Sequence, residues 1–137
     1  MDFSTIQLVE LGLIGVFYLI LGFGMLRQWA HVRTVRCIFD EETMNAFRRF
    51  VRLQMYTSAA GYALLIPIVL AIIVEGEGFS TLGGFACWVP LGAMIIVSRF
   101  TKSLEAQIQN PERCATTMRQ EFEEIIFVWR KKLLPTF

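Results

Sequence analysis

Residues 6–26 read IQLVELGLIGVFYLILGFGML. At about 1.5 Å of rise per residue, such a run covers the roughly 30 Å hydrocarbon core of a bilayer. Asp2 precedes it and no Lys or Arg does, and the run is longer than the apolar region of a secretory signal. It therefore reads as a retained transmembrane helix.

Two further runs repeat the pattern. Residues 58–74, SAAGYALLIPIVLAIIV, and 82–98, LGGFACWVPLGAMIIVS, each sit near the short end of the spanning range. The connection EGEGFST over 75–81 is short and glycine-containing, which predicts an antiparallel hairpin with the second and third spans as neighbours. The 55% hydrophobic content of the 137 residues exceeds that of ordinary soluble domains.

Charge sets the orientation. All 13 Lys and Arg residues fall in two segments, 27–52 and 99–132, on the same side of the three spans. Basic segments stay cytoplasmic, so the reading is a multi-pass protein of the inner, cytoplasmic membrane with its N-terminus outside and C-terminus inside. A net charge of +1 argues against nucleic acid as a partner. Cys37, Cys87 and Cys114 suggest no disulfide pair and read as free thiols.

Helical periodicity continues outside the spans. Trp29, Val32, Val35 and Phe39 carry the first helix to near Asp40. Asp40 then caps a second helix with Glu41 and Glu42 in its first turn, and Met44, Phe47, Val51 and Met55 lead it without a breaker into the second span. Residues 27–56 thus form a cytoplasmic helical hairpin. The third helix extends to Asn110-Pro111, a start signal for an amphipathic helix over 111–133. Its apolar stripe runs through Phe122, Ile125, Ile126 and Trp129, while Glu121, Glu123 and Glu124 would be repelled by an anionic leaflet. That stripe is expected to pack on the hairpin. The fold class is thus all-α, one integral membrane helical bundle over 1–137 with three transmembrane helices.

Gly12, Gly15 and Gly22 share one face of the first helix with Leu8, Leu19 and Leu26, and in lipid such small-residue stripes let helices approach closely. They pack either within the bundle or against another subunit. Comparable lines are Ala60, Ala63, Pro67 and Ala71 on the second span, and Gly83, Ala86, Pro90 and Ala93 on the third. Glu10 is an ionisable group about one turn into the first span, within snorkelling reach of outside water or a member of a proton relay. His31, the single histidine, has no second ligand at metal spacing and is a weak candidate for an axial cofactor ligand. Tyr18 and Tyr62 are expected to bond between helices.

Nucleophile elbows, phosphate loops and HExxH are absent, so no enzyme, cofactor or metal is expected. The plan resembles in outline that of proton-driven stators and three-span holins, in topology alone. The expected function is a small non-catalytic subunit that assembles with itself or with larger membrane proteins. The alternatives are an oligomeric pore, or an accessory subunit holding a cofactor or pigment.

Overall fold

The computed structural model describes residues 5–75 and 82–137. It is all-α: helices α1 (Thr5–Thr34), α2 (Glu41–Glu75), α3 (Leu82–Ile108) and α4 (Arg119–Lys131), with 3-10 turns at Pro111–Arg113 and Thr116–Met118. No strand occurs among the described residues, and α1 and α2 are long and apolar enough to cross a membrane. The 76–81 part of the hairpin, and the side chains of Ala71, Gly83, Ala86, Cys87 and Pro90, lie outside the described residues.

Local chemistry explains where α2 begins. The Thr43 N–H donates to Asp40 Oδ1 at 2.7 Å, and Thr43 Oγ1 in turn accepts from the Asp40 N–H at 3.3 Å. This reciprocal cap, with Glu41 and Glu42 at the positive end of the helix dipole, satisfies donors that have no partner inside the helix. Bonds from Thr43 also hold the Asp40 carboxyl below the usual carboxylate range. From there α2 runs unbroken through Pro67.

Two expected boundaries are corrected. The first helix ends at Thr34 rather than near Asp40, and the amphipathic helix expected over 111–133 begins as α4 at Arg119. One pairing accounts for both. The Ile38 N–H donates to the Arg113 carbonyl at 2.7 Å, and the Ala115 N–H donates to the Ile38 carbonyl at 2.8 Å, forming an isolated parallel bridge of Ile38 with Cys114. Extended backbone at Cys114 and Ala115 (φ −114°, ψ 135° and φ −60°, ψ 147°) cannot continue a helix. Asn110 does cap, accepting from the Glu112 N–H at 3.0 Å, but the turn it caps is three residues long.

Among the described residues, α1 is the helix on which both α2 and α3 pack, and α2 and α3 scarcely meet. The connection through which the second and third spans were expected to pair, 76–81, lies outside the described residues. Ile14 and Phe17 of α1 meet Ile68 of α2, with Leu64, Leu65 and Met94 around them. Two glycines lie at the contact of α1 and α2, where a Cβ would stand in ordinary van der Waals contact. A Cβ on Gly24 would stand 3.5 Å from Gln54 Nε2, and one on Gly61 would stand 3.5 Å from the Phe17 ring.

A second core lies beyond the apolar runs. Met44, Phe47, Val51 and Met55 of α2 pack with Phe122, Ile125 and Ile126 of α4, closed by Ile38, Ile108 and Cys114. The Phe47 and Phe122 rings stack at 5.1 Å, Trp129 meets Phe50 edge-on at 6.2 Å, and Arg48 pairs with Glu121 across the seam. Burying each large apolar side chain contributes about 1.5–3 kcal/mol, whereas the surface ion pair adds at most about 1 kcal/mol. Apolar contact therefore holds α4 in place.

Candidate functional site

The inward face of α1 bears Glu10, Ile14, Phe17, Gly24 and Gln28, spaced by threes, fours and sevens so that all point the same way. It borders a cavity of about 310 Å³ between the three long helices. The wall is apolar towards the middle of the bundle, at Phe17, Leu21, Leu65 and Met94, and polar at the other end, at Gln28, Gln54, Thr101, Lys102 and Glu105.

Hydrogen bonding sets the character of the polar end. Gln28 is fully buried; its Nε2–H donates to Glu105 Oε1 at 3.4 Å, and its own Oε1 has no partner. A buried amide oxygen left unbonded costs about 1–3 kcal/mol. Arg27 donates from Nη2 to Gln54 Oε1 at 2.9 Å while lying over the Phe23 and Phe50 rings. The hydroxyls of Thr57, Ser98 and Thr101 donate to carbonyls of their own helices, which leaves their oxygens as acceptors. Burial pushes the Glu105 carboxyl up, opposed by the bond from Gln28 and the Lys102 charge.

The glycine stripe faces the opposite way. Space is open where a Cβ on Gly12, Gly15 or Gly22 would stand, and Leu8, Leu19 and Leu26 beside them are exposed, Leu19 by 74%. Gly24 and Gly61, in contrast, lie against Gln54 and Phe17 at the α1–α2 contact. Ala60, Ala63 and Pro67 are exposed as well.

Glu10, expected within snorkelling reach of water, is instead turned inward. It is 2% exposed, on the same face of α1 as Ile14 and Phe17. His31, past the run that ends at Leu26, stacks on the Phe50 ring at 4.1 Å and 11°. Burial and the nearby Arg113 charge push its imidazole down to about 4, which makes it a neutral packing residue. No group of three His, Cys, Asp or Glu side chains able to hold a metal occurs among the described residues. Tyr62 is exposed at the cavity rim. Phe122 and Ile126 are buried and Trp129 half-buried in the α2–α4 core.

No protein-family model, curated protein or solved structure matches the chain. The site therefore stands on its own geometry. Sequence reasoning missed Gln28, Gln54 and Glu105. Their signal was depth: Gln28 lies two residues past the first apolar run, Gln54 four before the second, and Glu105 seven past the third, which brings three polar side chains to one level.

Proposed function

We propose that the chain is a small non-catalytic membrane subunit that crosses the inner membrane three times, N-terminus outside, and assembles through the outward small-residue face of α1 with another copy or a larger membrane protein. The observation that supports this is the open face over Gly12, Gly15 and Gly22, which the chain's own helices leave uncovered although glycines elsewhere lie at its internal contacts. In lipid, close backbone approach across such a face supplies the dispersion contacts that drive association. The three spans and their orientation rest on the run lengths and the one-sided Lys and Arg. An ion path is a weaker reading, because the cavity wall is apolar from Phe17 to Met94.

The test replaces Gly15 and Gly22 together by leucine. Since the space there is open, the protomer should keep its thermal stability while the assembly, sized by light scattering in mild detergent, becomes smaller. Gly24→Leu, in contrast, should destabilise the protomer by driving into Gln54 and Thr57. A double variant with unchanged assembly size overturns the interface.

A further inference from the structure

We propose that the cavity between α1, α2 and α3 holds an aminophospholipid, with its primary ammonium at Gln28 and Glu105, its phosphate at Lys102, and an acyl chain along Phe17, Leu21, Leu65 and Met94. This rests on the reading of the chain as a membrane bundle. The cavity has the shape of such a molecule. From Phe17 to Gln28 it follows α1 for about 16 Å at 1.5 Å per residue, apolar at one end and polar at the other. The polar end lies just past the apolar runs, at the depth of a lipid headgroup.

The polar atoms choose among headgroups. Gln28 offers a fully buried oxygen without a donor, Glu105 offers its carboxyl, and the Thr57, Ser98 and Thr101 oxygens have already given their protons to backbone carbonyls. A cluster of acceptors recognises a group with several N–H donors, and a primary ammonium carries three. A choline head has no N–H to give. Lys102, exposed at the rim and close enough to bear on Glu105, matches the phosphate that follows the ammonium in an aminophospholipid.

The experiment uses the full chain in non-ionic detergent and reads lipid retention by native mass spectrometry, with phosphatidylethanolamine, phosphatidylcholine and phosphatidylglycerol of identical chains in competition. The ethanolamine lipid should be retained roughly tenfold over the choline lipid, the discrimination expected from hydrogen bonds to a charged donor. Gln28→Leu and Glu105→Gln should lower that ratio towards one. Lys102→Ser, at an exposed position, should weaken both lipids alike and leave their ratio unchanged. Equal retention of the ethanolamine and choline lipids by the unmodified protein overturns the assignment. So does displacement of bound lipid by free ethanolamine, which would make the site one for a soluble amine. So does a cavity closed by a second copy, seen as dimer that retains no lipid. The Gly15, Gly22 double variant separates the two proposals, because it should change assembly size and leave the lipid ratio intact.

Discussion

Glu105 sits where a carboxylate is least comfortable, half-buried at the end of a helix pair with one amide donor for company. Its folded-state pKa is raised, so the folded chain binds more protons than the unfolded chain as pH climbs above the ordinary carboxyl value. Stability conferred by the protonated form is present below that value and is lost as pH rises through the folded pKa. Glu105→Gln keeps an acceptor for Gln28 and removes the titration. In detergent without added lipid, the variant should melt higher than the parent at pH 7 and together with it near pH 4. Parallel melting curves across that range would show that Glu105 titrates as if free in water. Gln28 shows why this site was hard to read in advance. An isolated glutamine just beyond an apolar run looks like an interfacial residue, and only the angular position of Gln28, seven residues apart from Leu21 and four from Gly24, puts it inside. Gly15 and Gly24 illustrate the same difficulty. Both are glycines of one helix, and the face each belongs to depends on partners that come from elsewhere in the chain.

At the scale of elements, α4 is a short helix whose place is set by one apolar stripe. Replacing Phe122 or Ile126 with Asp removes apolar burial and sinks a charge against Phe47 and Val51, at a cost of at least about 3 kcal/mol. Limited proteolysis in detergent should then cut rapidly after residue 110, whereas the parent resists; an unchanged digestion pattern would mean that the stripe contributes nothing to holding α4. The stripe itself was legible, because periodicity at threes and fours is a local property. So was the start of α2, where Asp40 and the two glutamates form a cap from adjacent residues. The ends of α1 and the start of α4 were not. Residues 35–39 carry helical periodicity, and Asn110-Pro111 opens helices, yet both segments give up helical bonds to pair Ile38 with Cys114. A pairing between segments so distant in the chain leaves no mark on either one alone.

At the scale of the molecule, the proposed topology places both free thiols among the described residues on the cytoplasmic side, and the fold separates them by burial: Cys37 is exposed and Cys114 buried. A membrane-impermeant maleimide applied to intact cells should therefore modify neither. After permeabilisation Cys37 should react at once, and Cys114 only after denaturation. Labelling of Cys37 in intact cells would reverse the orientation, and equal rates for the two thiols after permeabilisation would dissolve the packed layer. The architecture behind this prediction is a central α1 flanked by α2 and α3, with the layer of α2 and α4 beyond them. The all-α character, and α1 and α2 as helices long and apolar enough to span a membrane, were legible in the apolar runs. The arrangement of the helices was not, because the length of a connection indicates which helices follow one another and not which surfaces they bury.

The clasp between Ile38 and Cys114 also imposes an order of events on the making of the protein. Met44, Phe47 and Val51 leave the ribosome well before the residues that cover them, from Cys114 through Trp129. Every nascent copy thus passes through a period in which its greasiest soluble surface lacks a cover, and exposed surface of that kind is what chaperones and proteases seize. A chain that stalls or is truncated before residue 114 keeps that surface open for good. Synthesis as far as Trp129 is accordingly what gives that surface its cover.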